Sequence, residues 1–225
     1  MKKLSFLFIS MLIIISAKGQ EQVATTTWPY LYSEFTNGVI YFNDGKQAKR
    51  LLNFDIVNEQ IHFIENELIK QLFLYDISSI DIGTDTYVFW EQKAIRVFKA
   101  EEKGFVGAFI KARLDQIHET GGAYGSSSTT QATRKLSSIE VSSRLNLNHV
   151  ELQRDKSMGE PVNWEYDYHL FVNGNAYKAS KRSLRKSLTR DQRTAFDKFL
   201  KGNKIKWDDP DGLINLLKFF NNKEI

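Results

Sequence analysis

Residues 68–98 read LIKQLFLYDISSIDIGTDTYVFWEQKAIRVF, and this stretch decides the fold. Short apolar runs rich in Ile, Val, Phe, Tyr and Trp alternate with turn signals, which is typical of consecutive β-strands. Ile80 and Ile82 alternate with polar neighbours, residues 83–85 break the run, and residues 87–90 resume it. No combination of residue types in the stretch indicates a particular chemistry. It therefore predicts a scaffold, and the sequence alone does not assign a specific activity.

The same pattern continues on both sides of this stretch. Asn43-Asp44-Gly45 carries an Asp-Gly turn signal between two apolar runs and predicts a hairpin. In the second strand of that hairpin, alternation predicts one buried face, and Asn53 and Asp55 fall on the face expected to meet solvent. Further strands are predicted over residues 60–65, 68–74, 78–82, 87–91, 94–100, 105–112, 138–142, 147–152, 163–172 and 176–179.

The hydrophobic period changes from two to about 3.6 residues towards the C-terminus, which indicates helices. Thr189 and Gln192 form a capping-box pattern, and Gly202 is placed to end that helix. Asp209 and Pro210 suit the start of a final helix with a broad apolar face. The sequence therefore predicts an α+β protein that is mainly β. We expect an antiparallel meander, as a sandwich, roll or barrel, with two or three C-terminal helices.

The first 19 residues are predicted to be a secretory signal peptide. Lys2 and Lys3 precede an almost unbroken apolar run over residues 4–15, and Ala17 and Gly19 are small residues at the two positions that a signal peptidase reads. An apolar run of about a dozen residues is shorter than the roughly 20 that span a bilayer as a helix. We therefore expect a secreted or periplasmic protein without a transmembrane helix after cleavage.

The mature chain is expected to have two parts. Residues 20–179 are predicted to form a β-rich domain, and residues 180–225 a helical segment packed on it. Residues 120–133 are rich in Gly, Ser and Thr and lack periodicity, which predicts an exposed loop within the first part.

Composition restricts the chemistry that the chain can carry out. The chain has no Cys, which excludes disulfides, thiolate ligands and cysteine nucleophiles. Its histidines, at positions 62, 118, 149 and 169, lack the spacing that places two imidazoles on one metal ion. The serines of residues 126–128 lack the G-x-S-x-G turn of a serine hydrolase. We therefore predict no catalytic residue, no metal site and no cofactor.

Carboxylates leave one enzymatic alternative open. Asp81 and Asp85 lie on either side of Gly83, where a solvated hairpin end is favoured over a weak calcium site because six or more oxygen ligands are not evident. Other carboxylates are candidates for the acid and base of an extracytoplasmic hydrolase. They are Glu65, Glu67, Glu101, Glu102, Asp208, Asp209 and Asp211.

Trp164, Tyr166 and Tyr168 form a candidate ligand surface. They occupy alternate positions of one strand, so their rings project from the same face. If that face is exposed, it is a flat aromatic platform suited to the sugar rings of a glycan or to an extended peptide. If it faces the helices, it is core, and core is favoured because large aromatics at strand spacing usually pack across strands. The same spacing recurs at Trp28, Tyr30 and Tyr32.

Charge is divided unevenly along the chain. Residues 20–177 carry 15 Lys and Arg against 21 Asp and Glu, whereas residues 178–206 carry 11 against 2. An anionic membrane surface or acidic glycan is one partner for this basic segment. Solvated helix faces are favoured, because clusters of like charge on exposed helices are usually just solvated. We expect no nucleic-acid partner. The candidate anion-binding residues are Lys181, Arg182, Arg185, Lys186 and Arg190.

Several segments together resemble a group of small secreted proteins of Bacteroidetes. The resemblance implies export and a β-rich domain with a C-terminal helical tail, and it carries over no activity and no site residue. The segments are Asn58-Glu59, Phe63-Ile64, Ile80-Asp81-Ile82-Gly83, Val88-Phe89, Gly122-Ala123-Tyr124-Gly125 with its Ser/Thr run, Phe199, Asn203 and the final helix over residues 211–221.

These observations favour an exported, non-catalytic binding or structural protein. The alternatives are a carboxylate-based extracytoplasmic hydrolase and a protein that associates with anionic membrane or glycan through its basic C-terminal segment.

Overall fold

A computed structural model describes residues 24–26, 29–113 and 162–222. The predicted signal peptide, the predicted loop over residues 120–133 and the predicted strands over residues 138–142 and 147–152 lie outside these residues, as does Trp28.

The described residues form one antiparallel sheet followed by three helices, which confirms the predicted α+β class, mainly β. The strands are β1 (Ala24–Thr26), β2 (Thr36–Phe42), β3 (Gln47–Asp55), β4 (Gln60–Glu65), β5 (Leu68–Gln71), β6 (Ile77–Ile82), β7 (Asp85–Trp90), β8 (Lys93–Glu101), β9 (Gly104–Ala112), β10 (Val162–Val172) and β11 (Asn175–Lys178). The helices are α1 (Lys181–Ser187), α2 (Arg190–Gly202) and α3 (Pro210–Asn222).

The sheet is a meander with one rearrangement and a divided edge. Its strand order is β1-β10-β9-β8-β7-β6-β2-β3-β4-β5, so β2 lies between β6 and β3. Both β1 and β11 pair with β10, at opposite ends of that long strand. Strands β4 and β8 are not neighbours in the sheet but contact each other, so the sheet curls. The described strands thus form one curled sheet and not two stacked ones.

Tight turns connect several hairpins. Asn173 and Gly174 both have positive φ, of 49° and 71°, as a two-residue type I′ turn requires. Glu91 and Gln92 adopt the same left-handed conformation between β7 and β8, with φ of 48° and 65°. Glu and Gln rarely adopt positive φ. The sequence predicts a turn at Gln92-Lys93, and the structure places it one residue earlier, at Glu91-Gln92.

The strand predicted over residues 68–74 ends earlier, at Gln71. Residues 72–76 connect β5 to β6, and backbone hydrogen bonds fix them, including one from the Leu72 amide to the Ile61 carbonyl at 2.8 Å. Phe73 and Tyr75 in this connection are 68% and 77% exposed. The apolar run over residues 72–75 therefore lies beyond the end of the strand.

One face of the sheet, which we call the inner face, carries two hydrophobic cores. Cross-strand neighbours on this face include Ile40, Ile80 and Tyr87, all buried in the first core. The second core lies where α3 packs on β8, β9 and β10. Its buried residues are Val106, Leu170, Val172, Ala179, Leu184, Leu188, Phe196, Leu213, Leu216, Leu217 and Phe220.

The two longer helices begin as predicted. The Thr189 amide donates to Gln192 Oε1 at 2.8 Å, and the Gln192 amide donates to Thr189 Oγ1, which completes the capping box of α2. Pro210 is the first residue of α3, and the Asp211 amide donates to Asp209 Oδ1 at 3.1 Å. The N-terminal ends of both helices depend on contacts between residues that are close in the sequence, so the sequence pattern predicts them.

The outer face of β3 differs from its prediction. Asn53 and Asp55 fall at polar positions of the alternation, yet both are fully buried. Residues 29–34 run alongside the end of β3, and Asn53 Nδ2 donates to the carbonyls of Tyr32 and Glu34. The buried Asn53 side chain therefore holds this incoming segment by hydrogen bonds, whereas the Asp55 side chain accepts its hydrogen bonds from the turn that follows β3.

Gly104→Ala should destabilise the protein, because the second core leaves no room beside β9. A Cβ at Gly104 would lie 2.1 Å from the Phe171 carbonyl oxygen, a backbone atom that cannot rotate away. We expect a loss of about 1–3 kcal/mol in the free energy of unfolding. Urea denaturation measures it, with Gly202→Ala as the control, since a Cβ there meets no atom within 4 Å. Equal stability of both variants would contradict this packing.

Candidate functional site

The predicted aromatic surface lies on β10 and is partly buried. Trp164 and Tyr166 pack against the first core, and Tyr168 packs against the second. The Trp164 and Tyr166 rings are inclined at 86°, and those of Tyr166 and Tyr168 at 45°. The three rings therefore line the inner face between the two cores, but they do not form a flat platform.

Arg96 of β8 lies beside these rings at the centre of a polar cluster, which we call the Arg96 cluster. Its Nη2 donates to Asp85 Oδ1 at 2.6 Å, and its Nη1 donates to the hydroxyl of Tyr166. The Tyr32 hydroxyl donates to Asp85 Oδ2 at 2.7 Å and lies 2.6 Å from the Tyr87 hydroxyl. The cluster thus joins β7, β8, β10 and the segment before β2.

The guanidinium group is held between aromatic rings as well as polar groups. Its central carbon lies 5.0 Å from the centroid of Phe98 and 5.5 Å from that of Tyr166, both within cation–π range. The side chains of Arg96 and Asp85 remain 23% and 14% exposed. The ion pair is therefore accessible from solvent although its geometry is fixed.

The electrostatics of the cluster keep its hydroxyl groups protonated. Burial raises the pKa of Tyr32, and the neighbouring Tyr87 and Asp85 raise it further. Burial likewise raises the pKa of Tyr166, against the opposing charge of Arg96, and it raises the pKa of Tyr168 to about 12. Burial opposes the charge on Arg96, but Tyr166 and Asp85 outweigh it and raise the pKa of the guanidinium.

Sequence reasoning did not find this cluster. The pattern Ala94-Ile95-Arg96-Val97 suggests that Ile95 and Val97 face the interior and that Arg96 faces solvent. Both faces of β8 are covered, however, so Ile95 is buried on the outer face while Arg96 points to the inner one. At the predicted solvated hairpin end, Gly83 and Thr84 are exposed, whereas the Asp85 side chain is only 14% exposed and bonds to Arg96 and Tyr32.

The five predicted anion-binding residues lie on α1 and at the start of α2, and all are exposed. Lys181 and Arg185 are one helical turn apart and line a surface cleft of about 390 Å³ between the two helices. Asp197, Leu200 and Lys201 of α2 complete its lining. Arg182, Lys186 and Arg190 do not contribute to this lining.

A third polar group is buried and inaccessible. The Tyr30 hydroxyl lies 2.8 Å from His62 Nδ1, and His62 Nε2 lies 3.9 Å from Asp55 Oδ2. Asp55 also accepts hydrogen bonds from the amides of Val57 and Asn58 and from the Asn58 side chain. His62 and Asp55 are at most 1% exposed, so they are not available to a ligand.

The part of the chain that the structure describes contains no group of three or more His, Asp or Glu side chains arranged to hold a metal ion. Among the same residues, no helix has both the length and the apolar composition needed to cross a bilayer.

Comparisons with known proteins do not identify a family for this chain. The chain matches no protein-family model, no curated protein and no solved structure. The resemblance to secreted Bacteroidetes proteins therefore stays a prediction.

Proposed function

We propose that this protein is an exported, non-catalytic binding protein that holds a saccharide at the Arg96 cluster. One observation carries the proposal: a solvent-accessible guanidinium–carboxylate pair is fixed among aromatic rings on the inner face of a curled sheet. Binding sites typically combine such a mainly aromatic lining with a few well-placed polar groups. Export is supported by the signal-peptide pattern of residues 1–19.

A saccharide matches the chemistry of the cluster. Sugar hydroxyls both donate and accept hydrogen bonds, and here Asp85 accepts while Arg96 donates. The apolar faces of sugar rings pack on aromatic side chains such as Trp164. Because successive rings on β10 are inclined to each other, they suit a single sugar unit or a chain end better than a long flat polymer.

The electrostatics favour binding over catalysis. A general acid or base works best with a pKa near the operating pH, but the tyrosine hydroxyls of the cluster have raised pKa values. Glycoside hydrolysis usually needs two carboxyl groups facing one bond. Among the described residues, Asp85 is the one carboxylate bonded within the cluster, so the cluster supplies one of the two carboxyl groups that such a reaction needs.

Screening the mature chain on a glycan array, followed by titration calorimetry with the strongest mono- or disaccharide, tests this function. Arg96→Gln should weaken binding at least about tenfold, because hydrogen bonds to a charged group contribute roughly 1.5–3 kcal/mol. Tyr166→Phe keeps the ring and removes only the hydroxyl that Arg96 contacts, so it should weaken binding less.

Arg50→Gln is the matched control, because Arg50 is an exposed arginine on β3 and makes the same change of charge. It should bind as the wild type does. Circular dichroism confirms that each variant is folded. Absence of any saccharide ligand, or equal binding by folded Arg96→Gln and wild type, would reject the proposal.

A further inference from the structure

We infer that the cleft between α1 and α2 is a second binding site, specific for a compact oxyanion group such as a phosphate or sulfate ester. The inference is independent of the saccharide proposal, because the cleft and the Arg96 cluster share no residue. The lining residues are Lys181, Arg185, Asp197, Leu200 and Lys201.

Arg185 is already positioned for this role. Its Nε donates to Asp197 Oδ2 at 3.2 Å, and its Nη2 lies 3.1 Å from the same oxygen, so this ion pair ties α1 to α2 across the cleft. A guanidinium that is held in place loses less conformational freedom when it binds an anion. The contact uses one edge of the group and leaves Nη1 for a ligand, and guanidinium groups suit the geometry of oxyanions.

The charges of the lining are not balanced within the cleft. Lys181 and Lys201 form no ion pair with any residue in the described ranges, whereas Asp197 is shared with Arg185. Three cations therefore face one carboxylate. The two lysines add point charges on long side chains to the same lining as the fixed arginine, and both kinds of cation bind oxyanions.

The charges of α1 are partly unfavourable to the helix. Lys181 and Arg182 lie in its first turn, where positive charge is unfavourable, whereas Arg185 and Lys186 lie in its last turn, where it is favourable. Lys181 and Arg185 also repel each other because they are four residues apart. A bound anion would relieve this repulsion.

Tertiary contacts hold the cleft open in spite of this repulsion. Leu184 and Leu188 anchor α1 in the second core. Arg193 of α2 donates to the carbonyls of Arg185 and Lys186 at the C-terminal end of α1. The relative position of the two helices is thus fixed before a ligand arrives.

The size of the cleft indicates more than a bare ion. A volume of about 390 Å³ lies at the lower end of the range for small-molecule sites, roughly 300–1,000 Å³. Leu200 adds an apolar surface beside the cations. The expected ligand therefore carries an oxyanion on a small organic group, whether free in solution or exposed on a lipid headgroup.

A charge-matched pair of double variants tests the inference. Lys181→Ala with Lys201→Ala removes two cations from the cleft, and Arg182→Ala with Lys186→Ala removes two exposed cations of α1 that do not line it. Titration calorimetry with inorganic phosphate and with sulfate measures the free anion. Co-sedimentation with phosphatidylcholine vesicles, with and without phosphatidic acid, measures the headgroup.

We expect the cleft variant to lose at least tenfold in affinity for one of these probes and the control variant to lose less than twofold. Phosphate or sulfate binding that depends on the cleft supports a soluble ligand, and cleft-dependent binding to vesicles alone supports a lipid headgroup. Equal losses in both variants would show a diffuse charge effect and overturn the inference. Absence of binding to every probe would overturn it too. Saccharide binding should stay unchanged in both variants, which separates this site from the Arg96 cluster.

Discussion

Phe220→Ala should lower the free energy of unfolding by about 3–5 kcal/mol, the cost typical of removing a large aromatic side chain from a core. Phe220 is fully buried on α3. The centroid of its ring lies 6.1 Å from that of Phe196 and 6.3 Å from that of Tyr177, so Phe220 joins α3 to α2 and to β11. Truncation removes this three-way contact and leaves a cavity where the helices meet the sheet.

Urea denaturation followed by circular dichroism gives the change in stability. Phe73→Ala is the matched control, because Phe73 is 68% exposed and its truncation should change the free energy of unfolding by less than about 0.5 kcal/mol. A loss of less than about 1 kcal/mol in the free energy of unfolding would contradict the burial of Phe220 in the second core.

Asp55→Asn should make the protein sensitive to acid. Burial lowers the pKa of His62 in the folded state to about 4. The neutral side chain therefore stabilises the folded state fully above its unfolded pKa of about 6.5, and this stabilisation is lost as the pH falls to 4. Burial raises the pKa of Asp55 to about 6, although three hydrogen bonds oppose the shift. The protonated Asp55 side chain therefore stabilises the folded state in acid, and this stabilisation is lost as the pH rises from about 4 to 6.

The two contributions oppose each other between pH 4 and 6 and nearly cancel in the wild type. Asp55→Asn removes one of them, so the variant should lose about 3 kcal/mol relative to the wild type between pH 6.5 and 4. His62→Gln keeps a hydrogen-bonding group for Tyr30 and removes the other contribution. It should gain about 2–3 kcal/mol relative to the wild type as the pH falls from 6 to 4.

Urea denaturation of the wild type and the two variants at pH 4, 5, 6 and 7 gives the slope of the free energy of unfolding against pH. The difference between each variant and the wild type is the quantity of interest, because it cancels the contributions of all other titrating groups. Opposite slopes for the two variants are the expected result. Parallel curves for all three proteins would show that Asp55 and His62 do not titrate in the folded state as described.

Local features of this fold can be predicted from the sequence because their causes are local. The Asp-Gly and Asn-Gly turns, the capping box at Thr189 and the start of α3 at Pro210 depend on residues within a few positions of each other. Strand positions follow from alternation for the same reason. The structure confirms the strands and helices predicted for these parts of the chain, with shifts of a few residues at their ends.

The candidate site is different, because distant segments form it. Arg96 meets Tyr166, 70 positions later in the sequence, and Asp85 meets Tyr32, 53 positions earlier. No local pattern indicates that these side chains share one face of a curled sheet. The burial of Asp55 and His62 likewise depends on residues 29–34 packing beside β3. Aromatic spacing located Tyr166, but it did not identify the polar group that Tyr166 contacts.

The pairing of β1 with β10 sets the order in which this polypeptide reaches its native topology. Ala24 lies opposite Trp164, 140 positions later, so the first strand has no partner until most of the chain has been synthesised. Pairings with so large a contact order form slowly, since the entropy of closing the long intervening loop is lost before any contact is gained. The N-terminal strand therefore joins the sheet late, after β10 has been synthesised, whereas β2 to β9 pair with strands that lie much closer to them in the sequence.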